Sequence, residues 1–558
     1  MLGTDGEMKA KGTTVKRTFW LLSTLLLVTP ATLTTLQAAD DFAVQREQVL
    51  ALGKLTTAPV IHAAEIYASS ATSPAEPPSK SAAQTSDRMP AYSWDTVPRA
   101  LFVHKPRAWT DDDYSRIARH DFFLTEYAKD SIRLAAEEKM FNPNISIIGY
   151  KNLVIHYEGT EDPLFINQPN WFLHSRGKPE LHGAARIRHP MYDLRQPAVR
   201  EYWVKDVERI LNTPIFDGVF LDAYAKVVNY APVIRATGQD PPTDFIAGYH
   251  QMMDEHLKRS GKCGKIRIGN FLRASTKDCN APEVMKYLDG SYLEWFEHYA
   301  TLPPHLHSSE EYLAAGIQAV QQVGQAGKLI WLHLEAADDK DIKVTADGAD
   351  PAAPDASSSR YKNFEYKLAI YLICAERYSY FQYQGAYKAT EDFQAWAPEF
   401  PEFKKPLGPP KGPAVRNGFI YTREFQYASV WLDLTKRQGR ITWKASYPEA
   451  KKLSPANGEV QVPAGNLQYR IEFDRPIKKG TGLISLYRMK DRLKLVSVPV
   501  ESAAVARSDD KTGVVTFSAS IEAKTQYSIT IEKGAFCDQD NMKFLGMPVL
   551  GEWKFTTK

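Results

Sequence analysis

Cysteine is scarce in this chain, whose 558 residues include only Cys263, Cys279, Cys374 and Cys537. No two of them have the Cys-x-x-Cys spacing of a metal site. Cys374 lies in an apolar helical pattern, which favours a buried thiol that behaves as a small hydrophobic side chain. Cys263 and Cys279 flank one predicted strand and could pair if the protein is exported, because export permits disulfides.

The motifs of several enzyme classes are absent as well. The sequence contains no His-Glu-x-x-His, no P-loop and no Gly-x-Ser-x-Gly. No motif therefore supports a zinc protease, a nucleotide-binding protein or a serine hydrolase. The net charge is +3 and the basic residues form no dense stripe, which gives nucleic-acid binding little support. We therefore predict no metal, no cofactor and no nucleic-acid partner, and nothing in the sequence indicates an oligomeric state.

Long apolar runs are also rare, and the one at residues 19–28 is too short for a comfortable membrane span. Basic residues precede this run, and the small residues Ala38 and Ala39 follow it. This pattern predicts a signal peptide over residues 1–39, with an uncleaved anchor as the alternative. We expect an exported protein, located in the periplasm, outside the cell or on its surface. Residues 40–92 are rich in Ala, Ser, Thr and Pro, which is typical of a linker.

From about residue 95, strand-like apolar runs alternate with amphipathic helical patterns. Eight strands, each followed by a helix, predict a (β/α)8 barrel (TIM barrel) over residues 93–405. The alternative is a doubly wound open sheet, but no Gly-rich phosphate turn follows the first strand. The predicted strands are Ala100–His104, Phe122–Tyr127, Ile145–Asn152, Asp217–Asp222, Lys265–Asn270, Gly290–Glu294, Lys328–Glu335 and Tyr378–Gln384. The predicted helices are Thr110–His120, Asp130–Lys139, Ala198–Leu211, Asp244–Lys258, Pro282–Leu288, Ser309–Gln325, Lys362–Arg377 and Glu391–Trp396.

The chain changes character after the barrel. Residues 406–448 contain turns and short strands, which predict a β-element packed on the barrel. Residues 449–558 alternate apolar and polar positions in short segments, which predicts an all-β sandwich. Two long connections, residues 153–192 and 336–360, would lie on the catalytic face of the barrel, where long loops shape substrate access. Disorder is an equally good interpretation of the second one, given its composition.

Two carboxylates end strands of the predicted barrel. Asp222 ends the run Phe216–Asp222, and Glu294 ends the run Gly290–Glu294. Because the carboxyl ends of barrel strands open on one face, where catalytic groups sit, both are candidate catalytic residues. Two carboxylates on one rim are what a glycoside hydrolase uses. We assign Asp222 as nucleophile and Glu294 as general acid/base, in a retaining mechanism.

Each of these residues also has a structural interpretation. Asp222 could hold a rim loop, and Glu294 could be an ion-paired rim residue. The apolar neighbours Leu293, Trp295 and Phe296 would favour the protonated form of Glu294, which a general acid needs. Glu335, at the end of the seventh strand, is the rival partner of Asp222 and otherwise a substrate-binding candidate.

Several further residues lie at or near strand ends, where they could bind sugar hydroxyl groups. A satisfied core or loop contact is an equally good interpretation of each of them. Trp171, in the first long loop, could stack on a sugar ring or anchor the loop. The substrate-binding candidates are His104, Tyr150, Asn152, Trp171, Asn270, Glu335 and Tyr383.

The C-terminal region resembles a bacterial Ig-like domain. The resemblance rests on the opening Ser454-Pro455-x-x-Gly458, on Tyr527, and on the closing Trp553-x-Phe555-Thr556-Thr557. It implies a spacer or adhesion module that is not itself catalytic.

Residues 93–445 resemble the glycosyl-hydrolase-like barrels related to endo-α-1,4-polygalactosaminidases. The matching motifs are Ile148-Gly149-Tyr150-x-Asn152, Tyr192-Asp193-Leu194-x-x-Pro197, Phe216–Asp222 and Tyr292-Leu293-Glu294-Trp295-Phe296. The resemblance implies a glycosidase with its Asp on strand 4 and its Glu on strand 6, and it strengthens Tyr150 and Asn152 as site residues. It also implies an α-linked polysaccharide substrate, with amino-sugar polymers among the candidates. The alternative is a catalytically silent carbohydrate-binding or surface-structural protein on the same scaffold.

Overall fold

The protein is described by a computed structural model that covers residues 88–103, 109–126, 129–183, 188–272, 285–294, 296–297, 306–335, 359–384, 398–465 and 468–558. The predicted signal peptide, nearly all of the predicted linker, most of the loop 336–360 and the predicted helix Glu391–Trp396 lie outside these residues. Residues 282–284 of the predicted helix Pro282–Leu288 and Cys279, the proposed partner of Cys263, lie outside them too.

Eight parallel strands form one sheet in the order β1, β2, β3, β8, β9, β10, β11, β12. A parallel bridge between Arg99 and Phe381, with a hydrogen bond of 2.8 Å from Phe381 N to Pro98 O, joins the last strand to the first. The barrel predicted from the sequence is therefore confirmed. Its strands are β1 (Ala100–Val103), β2 (Phe122–Thr125), β3 (Ser146–Asn152), β8 (Gly218–Asp222), β9 (Ile266–Gly269), β10 (Gly290–Leu293), β11 (Leu329–Glu335) and β12 (Ser379–Gln384).

Helices cover the outside of the barrel. Predicted and observed helix ends differ by a few residues, and two short helices between β8 and β9 were not predicted. The helices are α1 (Asp111–Ile117), α2 (Lys129–Phe141), α3 (Pro163–Asn167), α4 (Pro197–Leu211), α5 (Tyr224–Val228), α6 (Ala231–Thr237), α7 (Thr243–Ser260), α8 (Ser309–Gln325) and α9 (Ser359–Cys374). Thr110 caps α1 as the sequence indicates, since its side chain accepts a hydrogen bond from Asp113 N.

Large aromatic side chains fill the barrel interior. Trp331 lies 4.9 Å from Tyr292 and 5.9 Å from Phe220, measured between ring centroids. Each strand sends alternate residues to this interior and the others to the helices, so the strands are apolar on both faces. The closed interior places the polar residues of the strand ends together at one rim.

Two short antiparallel pairings lie in the long loop after β3, and a four-stranded antiparallel sheet follows the barrel. Within the loop, β4 (His174–Ser175) pairs with β5 (Lys178–Pro179), and β6 (Leu181–His182) pairs with β7 (His189–Pro190). After the barrel, a four-stranded sheet packs against α9. Its strands are β13 (Val415–Asn417), β14 (Ile420–Glu424), β15 (Ala428–Asp433) and β16 (Gln438–Trp443).

The C-terminal region is a sandwich of a four-stranded and a five-stranded sheet around one apolar core, as predicted. Trp553 is fully buried in this core, and its indole nitrogen donates to Pro455 O at 2.9 Å, which ties the start of the domain to its end. The nine strands of the two sheets are β17 (Ala450–Ser454), β18 (Glu459–Val462), β19 (Gln468–Phe473), β21 (Leu483–Arg488), β22 (Leu493–Pro499), β23 (Val505–Arg507), β24 (Thr512–Thr516), β25 (Gln526–Ile531) and β27 (Lys554–Thr557). A separate pair is formed by β20 (Ile477–Lys479) and β26 (Phe536–Asp538).

The sandwich packs against helices α1 and α2 of the barrel. Leu550 and Met489 join Tyr114 and Phe141 in a small apolar cluster. Arg492 adds an ion pair of 2.6 Å with Asp111 at the start of α1. None of the described helices combines the length and the apolar character that crossing a membrane requires.

Candidate active site

Strand β8 ends at the carboxylate that the sequence singles out. Asp222 is paired in register with Asn152 of β3, and Leu153 N donates to Asp222 O at 3.0 Å. Ala223 follows in the left-handed conformation with φ 76°, so the chain turns sharply as it leaves the strand. These contacts hold the Asp222 backbone at the rim.

Three neutral side chains donate to the Asp222 carboxylate. Tyr150 Oη and Asn152 Nδ2 reach Oδ2 at 2.6 and 3.2 Å, and Asn270 Nδ2 reaches Oδ1 at 2.9 Å. Burial, followed by the negative charge of Asp222, raises the pKa of Tyr150 well above its usual value. The phenol therefore keeps its proton and remains a donor. Donors of this kind stabilise a carboxylate anion without cancelling its charge.

The backbone orients the Asn152 amide. Its Oδ1 accepts hydrogen bonds from Val154 N at 3.0 Å and Ile155 N at 2.7 Å. The nitrogen of the same amide must then face Asp222 and Tyr150, since the oxygen is occupied. Asn152 is thus a link between the loop that begins at Leu153 and the carboxylate.

Asn270 connects the two predicted catalytic carboxylates. Its Nδ2 donates to Asp222 Oδ1 and to Glu294 Oε2, each at 2.9 Å. Because both oxygens bind one nitrogen, they lie no farther apart than twice 2.9 Å. Asn270 is buried, and its own N–H donates to Leu221 O at 2.9 Å, which anchors it to β8. Its Oδ1 is buried without a hydrogen-bond partner among the described residues.

Aromatic rings form the floor of the site. Tyr150 stacks between Phe102 and Phe220, with ring centroids 6.2 and 6.0 Å away. On its outer side lies Tyr157, at 6.2 Å between ring centroids. Burial and then the charge of Asp222 raise the pKa of Tyr157 to about 12, although 39% of the residue is exposed. Tyr157 therefore lines the mouth of the site.

Tyr157 is not among the site residues predicted from the sequence. The one feature that could have indicated it is its position in the loop after β3, on the catalytic face and five residues beyond Asn152. Loop aromatics are common and most anchor the loop, so that position by itself does not separate Tyr157 from Trp171.

Two candidate sugar-binding residues lie elsewhere. Tyr383 points outward from β12 and packs against Phe364 and Phe400, because Gln382 and Gln384 occupy the inward positions of that strand. The prediction that it lines the rim is wrong. Trp171 packs on Tyr202 of α4 with ring centroids 5.7 Å apart, which fits the loop-anchor interpretation.

The surroundings of Glu294 also differ from those expected from the sequence. Leu293 and Phe296 pack into the apolar layer between the sheet and the helices, away from the barrel interior.

Trp295 and His104 lie outside the described residues. Glu335 ends β11, in register with Gln384, and its side chain lies outside the description. In the described part of the chain, no group of three or more His, Cys, Asp or Glu is arranged to hold a metal ion.

A family model agrees with this architecture. The model described as hypothetical glycosyl hydrolase family 15 matches residues 139–429, slightly more than half of the chain. The chain belongs to this family. The model of a bacterial Ig-like domain matches residues 444–557. Both resemblances drawn from the sequence motifs are confirmed, and the protein is glycosyl-hydrolase-like at the level of its family.

No curated protein matches the chain in sequence. Among solved structures, the glycoside hydrolase domain of PelA from Pseudomonas aeruginosa is 12% identical, with a TM-score of 0.31 over 43% of this chain and 85% of that one. The maltogenic α-amylase AmyB from Thermotoga neapolitana is 10% identical, with a TM-score of 0.37 over 76% of this chain and 96% of that one.

Proposed function

We propose that the protein is an exported, retaining glycoside hydrolase in which Asp222 is the nucleophile and Glu294 the general acid/base. The observation that carries the proposal is the Asn270 amide, which binds one oxygen of each carboxylate at 2.9 Å. Retaining enzymes hold their two carboxyl groups about 5–5.5 Å apart, and inverting enzymes about 6.5–9.5 Å apart. A shared donor favours the shorter separation.

The proposed reaction has two steps. Glu294 protonates the glycosidic oxygen while Asp222 attacks the anomeric carbon, so the bond to the leaving sugar breaks and a glycosyl ester forms. Glu294, now ionised, takes a proton from water, whose oxygen attacks the anomeric carbon and releases Asp222. Hydrogen bonds from Tyr150, Asn152 and Asn270 support the negative charge on Asp222 before attack and after release.

The proposed substrate is an α-linked polysaccharide, with amino-sugar polymers among the candidates. The similarity to barrels related to endo-α-1,4-polygalactosaminidases supports the linkage. The N-terminal sequence pattern supports export, and an Ig-like domain beside the barrel is compatible with work on an extracellular polymer.

The test is release of reducing sugar from a panel of α-linked bacterial exopolysaccharides, α-1,4-galactosaminan included. We expect activity from the full chain and a loss of at least about a thousand-fold in Asp222→Asn and Glu294→Gln. Asp217→Asn is the matched control, because it makes the same change at the other end of β8. Equal activity in all variants would refute the assignment and make Glu335→Gln the next variant.

Two further readouts separate the parts of the proposal. NMR of the first product shows the anomer formed, and an inverted product would reject the retaining mechanism while leaving the hydrolase intact. Azide added to Asp222→Gly should restore bond cleavage, because a small anion can take the place of the missing nucleophile. No release from any polymer, together with retained binding, would instead favour a silent carbohydrate-binding scaffold.

A further inference from the structure

A row of polar aromatic side chains leads outward from Asp222 along the loop after β3. Tyr157 follows Tyr150 in this row, and its ring lies 5.0 Å from that of His189, measured between centroids. His189 of β7 is paired in register with His182 of β6. The short hairpin thus extends the row away from the catalytic carboxylates.

Helix α5 and the segment after it supply the far end of the row. Tyr230 Oη lies 2.7 Å from His182 Nδ1, and the Lys226 ammonium lies 5.9 Å from the centre of the Tyr230 ring. We call Tyr157, His189, His182, Tyr230 and Lys226 the loop wall. Charges at both ends of the row act on His182. Burial, followed by the positive charges of Lys226 and His189, lowers the pKa of His182, whereas the negative charge of Asp222 raises it.

Lys226 gives the loop wall a permanent positive charge. Among the described residues, no carboxylate forms an ion pair with Lys226. The acidic residue beside the hairpin, Glu180, is already bound by Arg235, with contacts of 3.2 and 2.7 Å. A lowered pKa keeps His182 uncharged at neutral pH. A ligand on this wall therefore meets the Lys226 ammonium group, which no carboxylate of the described residues occupies.

We propose that the loop wall is a row of sugar subsites that selects a polysaccharide carrying carboxylate groups, with Lys226 as the residue that binds the acid group. This inference rests on the proposed glycosidase function and narrows its substrate to acidic polymers. Tyr157 and Tyr230 offer ring faces on which sugars can stack. A deacetylated amino-sugar polymer, which is cationic, would be repelled by Lys226 instead.

The contact between the ammonium and a carboxylate should change the affinity about tenfold, as expected of a single charge-assisted hydrogen bond near solvent. Its contribution should fall as salt is added, because Lys226 is near solvent.

The experiment measures binding by the full chain carrying Asp222→Asn, so that turnover does not consume the ligand. The probes are α-1,4-linked oligogalacturonate, its methyl ester and α-1,4-linked oligogalactosamine, which present negative, neutral and positive charge on similar backbones. Affinity electrophoresis on polygalacturonate and alginate extends the test to other acidic polymers.

We expect the acid to bind about tenfold more tightly than its methyl ester, and Lys226→Gln to remove this difference. Lys262→Gln should leave it unchanged, because Lys262 lies in the turn before β9, at the opposite end of the barrel. The inference is overturned if no acidic polymer binds, if the ester or the amine binds as tightly as the acid, or if Lys226→Gln has no effect. Intact acid-selective binding without hydrolysis by the unmutated chain would contradict only the proposed function.

Discussion

The two ends of strand β8 each have an aspartate, but the surroundings of the two carboxylates differ. Asp217, just before the strand, accepts from the Lys139 ammonium at 2.8 Å and from Ile147 N at 2.7 Å. Asp222, at the other end, accepts from an uncharged phenol and two amides. A cation pairs with the first carboxylate, whereas the described donors to the second are all uncharged.

This difference fits a structural role for Asp217 and the proposed chemical role for Asp222. An ion pair with Lys139 ties helix α2 to the start of the strand through Asp217. Neutral donors hold Asp222 in place while its oxygens remain able to attack an electrophilic carbon. The proposed acid/base, Glu294, accepts a hydrogen bond from the same Asn270 amide, so the two carboxylates lie together at one rim of the barrel.

After removal of either carboxylate, the largest expected effect comes from moving the charge of Asp222, the proposed nucleophile. Asp222→Glu keeps the carboxylate but lengthens the side chain by one methylene, which displaces the oxygens by about 1 Å. We expect a loss of about a hundred-fold in kcat, because misplacement of this size costs that much in a positioned site. Asp217→Glu should retain activity. Steady-state kinetics with both variants checks the contrast, and equal losses would mean that the two ends do not differ in role.

The next effect concerns the amide between the carboxylates. Asn270→Asp places a third carboxyl group within hydrogen-bond reach of two others, so one of the three must keep a proton. We expect a loss of ten- to a hundred-fold in kcat/KM, with the acidic limb of its pH profile moved to higher pH. Asn270→Ala is the companion variant, and it should lower kcat without that displacement. A pH profile unchanged in Asn270→Asp would contradict the bridging role.

A smaller effect is expected from the shortest donor to Asp222. Tyr150→Phe removes the 2.6 Å hydrogen bond but keeps the ring stacked between Phe102 and Phe220. The lost bond to a charged group is worth about 1.5 kcal/mol, or roughly tenfold in kcat. Tyr383→Phe serves as the control, since Tyr383 points outward from β12 and packs among Phe364 and Phe400. A tenfold loss in Tyr383→Phe and none in Tyr150→Phe would contradict the role given to Tyr150.

The smallest effect belongs to the structural end. Asp217→Asn weakens a half-exposed ion pair, so we expect the free energy of unfolding to fall by about 1 kcal/mol with activity unchanged. Chemical denaturation of the full chain measures the first quantity, and reducing-sugar release the second. Loss of activity in a folded Asp217→Asn would remove the distinction on which the comparison rests.

Strand positions were largely predictable from the sequence. All eight barrel strands coincide with the predicted runs to within two residues at either end, because β-branched and aromatic runs bounded by polar turns have few alternatives. The direction of side chains was less predictable. In Tyr378–Gln384 aromatic residues occupy both faces, as in any strand buried on both sides, so the pattern could not show that Tyr383 points outward.

The site residues also divide into those that could be predicted from the sequence and those whose positions depend on the fold. Asp222 and Glu294 could be chosen from the sequence, since a carboxylate at the end of an apolar run is unusual and the family motifs include both. The bridging position of Asn270 depends on the side-by-side pairing of β8, β9 and β10, and no spacing along the chain indicates it. The role of Asn152 is similar, because the backbone of the following loop sets the orientation of its amide.

By itself, the sequence determined the two-part architecture, the order of strands and helices, and the two carboxylates at the strand ends. These properties follow from local periodicity and chain order, which folding does not alter. Only the tertiary structure decided that one amide joins both carboxylates, that Tyr157 rather than Tyr383 faces the site, and that Lys226 stands at the end of the loop wall. Such juxtapositions depend on register and closure between segments far apart in the chain, where contacts form only after the barrel is assembled.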